Sequence, residues 1–291
     1  MSVTTDPGPE PTSRSAPGRH GARLLEQLPQ DGSRVSLAEH RRFHPRPPDP
    51  RSRPWHQLTE VVEDAGLRGR GGGSFPTATK MRAVAARGGR PVVVVNASEG
   101  EPLSAKDSLL LTRLPHLILD GAALAATAVG AGEVVVCVKR SSAASARSLD
   151  QALEERRGEG GPAIRAAIVP DRYVAGEESA LVRWLNGGPA KPTVVPPRPF
   201  ERGVGGRPTL VQNAETLAHV AQIAVYGADW FRDVGTDDEP GTALFTVSGG
   251  VRAPGVVEAP FGTRLSALVD AAAPTSPVSA VLVGGYSGSW L

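Results

Sequence analysis

The sequence predicts an α/β protein: a mainly parallel layer of strands and helices, then a small module read as a partial β-grasp. Three observations carry the prediction. From about residue 55 to 226, short β-branched apolar runs alternate with amphipathic stretches, the pattern of strands and helices around a parallel sheet. The last part of the chain breaks that rhythm and reads strand, strand, helix, strand. A Pro-, Gly- and Arg-rich stretch precedes both. The expected division is a basic arm over 1–50, an α/β domain over 51–235 and a partial β-grasp module over 240–291.

In chain order the arm comes first. Residues 1–56 carry nine Arg against six Asp plus Glu, with much Pro, Gly and Ser. Disorder is expected over most of 1–50, apart from a short apolar segment near Leu24–Leu28. Trp55 to Ala65 reads as a helix, with Leu58, Val61, Val62 and Ala65 at helical spacing. Pro91 to Asn96 is a β-branched apolar run, typical of a buried strand, and ends in the polar turn Asn96-Ala-Ser-Glu-Gly-Glu-Pro102. Helices follow at about 114–129, 141–157 and 177–185, with strands at 134–138 and 163–169 among them. Residues 187–208, dominated by Pro and Gly, are expected to cross the surface in extended form. Another helix opens at Gln212 and runs to about Tyr226. The module then offers strands at 243–250 and 255–258, an apolar helix at 263–271 and a strand at 280–284. No return strand is evident before Leu291, so the chain is read as incomplete at its C-terminus.

The stretch Gly66-Leu-Arg-Gly-Arg-Gly-Gly-Gly-Ser-Phe-Pro-Thr-Ala-Thr-Lys80 packs five glycines, two arginines and a lysine around a helix start. Glycines there let the backbone approach a ligand closely. A helix beginning at Pro76 directs free N–H groups and its positive dipole end at an anion, and Lys80 follows one turn later. The chemistry served is a phosphate, and so a nucleotide. The preceding segment reads as a helix rather than a strand, so this is not a standard Rossmann turn. A flexible surface loop is the plainer alternative.

Forty per cent hydrophobic residues suffice for a packed core, and a net charge of +2 gives no argument for nucleic acid. No apolar run approaches the ~20 residues of a membrane span, and no signal-peptide block opens the chain. Cys137 is the single cysteine and sits in a strand-like run, where a buried thiol is expected. It permits no intrachain disulfide and no Cys-ligated zinc or iron–sulfur centre of the chain's own. The histidines give no metal-ligand pattern.

Four strings occur in order: Gly66-Leu-Arg-Gly-Arg-Gly-Gly-Gly-Ser-Phe-Pro-Thr, Val94-Val-Asn-Ala-Ser-Glu-Gly-Glu-Pro102, Tyr173-Val-Ala-Gly-Glu-Glu-Ser-Ala-Leu181 and Pro208-Thr-Leu-Val-Gln-Asn-Ala-Glu-Thr-Leu217. Together they resemble the NADH-binding flavoprotein subunit of respiratory complex I, the 51-kilodalton or F subunit. That family includes diaphorase subunits of soluble hydrogenases and formate dehydrogenases. Thr246-Val-Ser-Gly-Gly-Val-Arg-Ala-Pro-Gly-Val-Val-Glu is similar to the opening of the family's β-grasp (SLBB) module. The resemblance covers about 55–291.

The resemblance implies FMN in a Rossmann-like domain, with NADH stacked against it as substrate. It places Gly69, Arg70, Gly71, Gly72 and Lys80 at the FMN phosphate side. Asn96, Ser98, Glu99 and Glu101 line the flavin and nicotinamide; Tyr173, Gly176, Glu177 and Glu178 form the opposite wall. Val211, Gln212, Asn213 and Thr216 complete the phosphate and ribityl contacts, and Phe75 helps to sandwich the adenine. Hydride transfer is the cofactors' own chemistry, so no catalytic side chain and no metal ligand is assigned. Plainer roles stand beside these: a solvated turn for Glu99 and Glu101, a core ring for Tyr173, a helix cap for Asn213 and Thr216.

Four positions depart from the family pattern. Ser98 stands where the family usually has Asp, Gln212 where it has Asn, and Ala175 where it has Cys. Arg198 falls where a second adenine-stacking Phe is usual, with Phe200 nearby. Full-length members carry a [4Fe–4S] cluster on cysteines in a C-terminal helical domain, for which this chain has no ligands. The implied activity is NADH:acceptor oxidoreduction, with an electron-accepting partner subunit. The implied location is the cytoplasm, without direct membrane insertion, reaching the inner membrane face through partners. A flavin-binding scaffold without turnover, or a truncated fragment, are the other readings of the same residues.

Overall fold

The structure, a computed structural model, describes residues 13–15, 23–44 and 56–291. Its elements begin with β1 (Ser13–Ser15), α1 (Leu37–Phe43), α2 (His56–Asp64), α3 (Thr77–Ala85), β2 (Val92–Ala97), α4 (Lys106–Arg113), α5 (Pro115–Ala128) and β3 (Glu133–Lys139). Next come α6 (Ala143–Glu155), β4 (Ala163–Val169), α7 (Glu178–Leu185), β5 (Thr209–Asn213), α8 (Ala214–Tyr226) and α9 (Ala228–Arg232). The chain closes with β6 (Thr242–Val247), β7 (Gly255–Pro260), α10 (Leu265–Ala271), β8 (Leu282–Val283) and β9 (Ser289–Trp290).

β-Branched runs build a parallel sheet in the order β4-β3-β2-β5. Side-chain alternation buries both faces. Val93, Val95, Val134, Val136 and Leu210 join the larger core with the leucines of α4, α5 and α8, while Val92, Val94, Val135, Cys137 and Val211 pack with Leu181 and Val182 of α7. Cys137 is buried, and desolvation pushes its thiol up to about 12. Helices α5 and α8 cross so closely that a Cβ on Gly121 would lie 1.8 Å from the Leu217 carbonyl oxygen. Among the described residues no single helix is long and apolar enough to cross a membrane.

From β2 the chain winds to β3 and β4 on one side, then returns to place β5 on the other. The strand order therefore reverses between β2 and β5, where Asn96 pairs with Asn213. In open α/β sheets a crevice for ligands lies beyond the strand ends at such a point.

The structure departs from the sequence expectations in four places. Thr209–Asn213 is a strand, so the helix begins at Ala214 and not at Gln212. Lys106–Arg113 forms a helix that was not expected, bent by 98° from α5 where Pro115 starts a new helix. The expected strand at 280–284 does not join the module's sheet; Leu282–Val283 pairs with Ser289–Trp290 in a separate hairpin. The third strand of that sheet is instead β1, parallel to β7.

The fourth departure is the arm. The disorder expected over most of 1–50, with the apolar segment near Leu24–Leu28 excepted, lies outside the described residues apart from 13–15 and 29–44, and there it does not hold. Leu24, Leu25 and Val35 belong to the main core, and α1 is closed by a capping box between Ser36 and Glu39. Glu258 of β7 accepts the backbone N–H groups of Arg23, Leu24 and Leu25, and Arg23 lies 4.0 Å from the Trp230 ring centroid. Leu24 and Leu25 fall in the apolar segment the sequence excepts, whereas composition hid Val35 and α1.

Candidate functional site

The glycine stretch closes on itself before it meets the sheet. Gly69 N–H donates to Phe75 C=O (2.9 Å) and Thr77 N–H to Leu67 C=O (3.0 Å), so 68–76 stands as a loop on the start of α3. Gly72 lies at φ 98°, a conformation that favours glycine, and a Cβ there would meet nothing within 4 Å. The loop is seated on the strand switch by two contacts. Arg70 N–H donates to Thr216 Oγ1 (2.9 Å), and a Cβ on Gly71 would press on the Asn213 side chain at 3.2 Å.

The turn after β2 packs on the Tyr173–Gly176 segment. Asn96 Nδ2 donates to Gly176 C=O (2.7 Å), and Asn96 Oδ1 accepts from Ser98 Oγ (2.7 Å). A Cβ on Gly176 would stand 3.0 Å from Ser98 Oγ, and one on Gly100 would stand 2.5 Å from Tyr173 C=O. Lys80 of α3 reaches across to Glu178 (2.9 Å) and lies 3.5 Å from Val211 C=O. All four sequence strings therefore converge at the β2/β5 crevice. Phe75 and Tyr173 are about half exposed at its rim.

Several side chains point elsewhere than the sequence expectation placed them. The Arg70 guanidinium bridges the base of the loop and the C-terminal part of the chain: Nη1 donates to Arg68 C=O (3.2 Å), Nη2 to Pro240 C=O (3.3 Å), and the group lies 4.5 Å from the Phe261 ring centroid. Burial lowers its pKa. Glu99, at φ 36°, spends both carboxylate oxygens on Ser104, Asp107 N–H and Ser108 N–H, capping α4. Glu177 caps α7 through the N–H groups of Ser179 and Ala180. Both act as helix caps: Glu99 engages both of its carboxylate oxygens, and Glu177 engages Oε2. Arg198 is exposed, while Phe200 packs on the main core beneath Arg87.

Asn213 is the hub of a buried charged cluster that sequence reasoning missed. Its Nδ2 donates to Asn96 C=O (3.3 Å) and Asp107 Oδ2 (2.6 Å); its Oδ1 accepts from Lys106 Nζ (3.1 Å) and Glu215 N–H (3.1 Å). Lys106 also pairs with Asp107 and Glu215, each at 2.9 Å. Burial raises the pKa of Asp107 despite Lys106. Burial also works against the charge on Glu215, but Lys106 outweighs it and holds that carboxyl down to about 2. The available signal was the charged pair Lys106-Asp107 directly before an apolar helix run.

Two buried polar atoms lack a protein partner here: Gln212 Nε2 at the end of β5 and Thr77 Oγ1 at the base of the loop. Together with Lys80, the first-turn N–H groups of α3 and the open glycine backbone, they make a donor-rich set suited to a phosphate ester. Among the described residues no group of three or more His, Cys, Asp or Glu is arranged to hold a metal ion.

Residues 62–222 match the family of the Nuo51 FMN-binding domain. The F 2 subunit of the NADH-quinone oxidoreductase of Rhizobium meliloti is 37% identical over 247 residues, covering 79% of this chain and 59% of that protein. The alpha subunit of the NAD-reducing hydrogenase HoxS of Cupriavidus necator is 37% identical over 245 residues, covering 80% of this chain and 40% of that protein. Among solved structures, an NAD+-reducing [NiFe]-hydrogenase in its H2-reduced state superposes with a TM-score of 0.82. It is 39% identical, with 93% of this chain and 46% of that one covered. The chain spans about half the length of the relatives it matches.

Proposed function

The chain belongs to the family of the Nuo51 FMN-binding domain, and from that premise we propose that it is the flavin-bearing module of an NADH:acceptor oxidoreductase. The observation that carries this reading is the convergence of the four strings on one crevice. There the glycine loop, the α3 N-terminus and Lys80 offer donors, and the turn after β2 and Tyr173 form the facing wall. When bound, FMN supplies the acceptor for a hydride from NADH and releases the electrons one at a time.

The chain's own residues bind and orient. The backbone at Gly69, Gly71 and Gly72, with Lys80, Thr77 and Gln212, would take the phosphate end. Asn96, Ser98 and Gly176 would shape the wall beside the ring, backed by Val211, Asn213 and Thr216. Glu101, Glu178 and Tyr173 would seat the dinucleotide, with Phe75 against its adenine. Arg70, Glu99 and Glu177 hold the frame of the site. The electrons would pass to a cluster-bearing partner or to a [4Fe–4S] domain of the kind the family carries. The C-terminal unit is read as SLBB-type, and the location as cytoplasmic, at the inner membrane face through partners.

A flavin-binding scaffold without turnover is the second reading. It is favoured by one observation: Glu101 and Tyr173 are both engaged by the segment 286–287. The visible spectrum of protein reconstituted with FMN separates the two. Flavin absorption that bleaches anaerobically on adding NADH supports the oxidoreductase, absorption that persists supports the scaffold, and failure to retain FMN defeats both.

A further inference from the structure

We infer that the β8–β9 hairpin is a gate on the dinucleotide side of the crevice, because its tip occupies Glu101 and Tyr173 and must lift before a nicotinamide dinucleotide can reach them. The inference rests on the reading of those two residues given above. Tyr286 N–H donates to Glu101 Oε2 (2.9 Å), and Ser287 Oγ lies 3.2 Å from Tyr173 OH. The Tyr286 ring stands 5.6 Å from that of Tyr173, centroid to centroid. Gly285, at φ 67°, makes the approach possible: a Cβ there would fall 2.3 Å from Glu101 Cδ.

The hairpin is also built to move as a unit and is lightly held. Its own ladder is closed by Val281 N–H to Leu291 C=O (3.0 Å), the reverse bond (2.9 Å), and Gly288 N–H to Gly285 C=O (2.9 Å). Its outward residues, Tyr286, Trp290 and Leu291, are 81%, 71% and 72% exposed, so little apolar surface anchors it. Among the described residues its tip is held by two hydrogen bonds and one ring contact, and such a segment opens at low cost. While it is closed, the apparent dinucleotide affinity is reduced by the fraction of molecules that are open. The flavin side, at the glycine loop and Lys80, makes no hydrogen bond to the hairpin among the described residues.

The test uses the FMN-loaded chain with Gly285→Ala and, separately, Ser287→Ala. The apparent Kd for NADH is read from the concentration dependence of anaerobic flavin bleaching, and hydrogen exchange at the Tyr286 amide is followed with and without NADH. Loss of a hydrogen bond to a charged group predicts a Kd in Gly285→Ala lower by roughly tenfold, with FMN retention unchanged. Ser287→Ala moves the same way by a smaller factor, and NADH speeds exchange at Tyr286 in the parent. Equal or weaker NADH binding in both variants overturns the gate while leaving the NADH site standing, as does slower exchange at Tyr286 on adding NADH. If parent and variants retain FMN but none binds NADH, the dinucleotide site itself falls and the gate with it.

Discussion

Asn213 makes four hydrogen bonds through one amide, and they tie β2, α4 and α8 to the end of β5. Its work at the crevice is to hold the strand ends and the glycine loop in place. Asn213→Ala leaves Lys106 and Asp107 each short of a buried partner, so a loss of about 2–4 kcal/mol is expected, read by urea unfolding. FMN binding should weaken with it; a variant of parental stability and parental FMN affinity would remove Asn213 from this role. Ser98 presents the opposite case. Its hydroxyl donates to Asn96 Oδ1 at 2.7 Å, and an aspartate there could not donate while ionised. On the proposed placement of the flavin, Ser98→Asp is therefore expected to add an unshielded charge beside the ring and lower the flavin potential. An anaerobic redox titration of parent and variant checks this, and equal potentials defeat it.

At the scale of elements, what was legible in the sequence was what is local. The glycine loop and the start of α3 follow from residue types at fixed offsets, and β2 and β3 follow from β-branched runs. β5 escaped because Thr209–Asn213 is short and runs straight into α8, and periodicity cannot separate such a strand from a helix start. The directions of Glu99, Glu177 and Arg70 were illegible because each is set by a partner distant in sequence or by a cap that competes with ligand binding. Helix α1 escaped for a related reason: its anchors lie on α5 and α6. His40 Nε2 is 2.8 Å from Asp120, which also takes Arg41 and Arg156 at 2.6 Å each, and His40 stacks on His44 with centroids 4.8 Å apart. His116 lies 2.8 Å from Glu155, which also pairs with Arg34. Burial, then the charge of His40 for His44 and of Arg156 for His116, holds both rings down to about 4 from 6.5. The unfolded chain thus binds more protons between those values, so stability is full above pH 6.5 and falls as pH drops toward 4. After solvent screening the loss is on the order of 2 kcal/mol. Urea midpoints between pH 7.5 and 4.5 measure it, and His44→Asn should flatten the slope.

At the scale of the whole molecule, the α/β domain and the C-terminal sheet are clasped by a segment that precedes both in sequence. Glu258, buried on β7, accepts three backbone N–H groups from Arg23, Leu24 and Leu25 and the hydroxyl of Thr242 at 2.5 Å. Leu24 and Leu25 then enter the core that α5 and α8 share, and Arg23 donates to Trp230 C=O. From the other side, Arg70 leaves the glycine loop for Pro240 and Phe261, and Glu215 accepts Leu244 N–H (2.8 Å). The glycine loop is thus braced by the C-terminal sheet, and that sheet is braced by the arm. Glu258→Ala strands several buried donors at once, at an expected cost of about 3 kcal/mol or more. If the clasp is the weak joint, the cost should fall on the arm and the C-terminal sheet first. Unfolding of the variant should then split into two transitions, with proteolysis in 236–291 preceding loss of FMN. Arg70→Met should loosen the same joint from the loop side, by losing the bonds to Arg68 C=O and Pro240 C=O, and weaken FMN binding. A single transition at the parental midpoint in Glu258→Ala would show instead that the sheet stands without the arm.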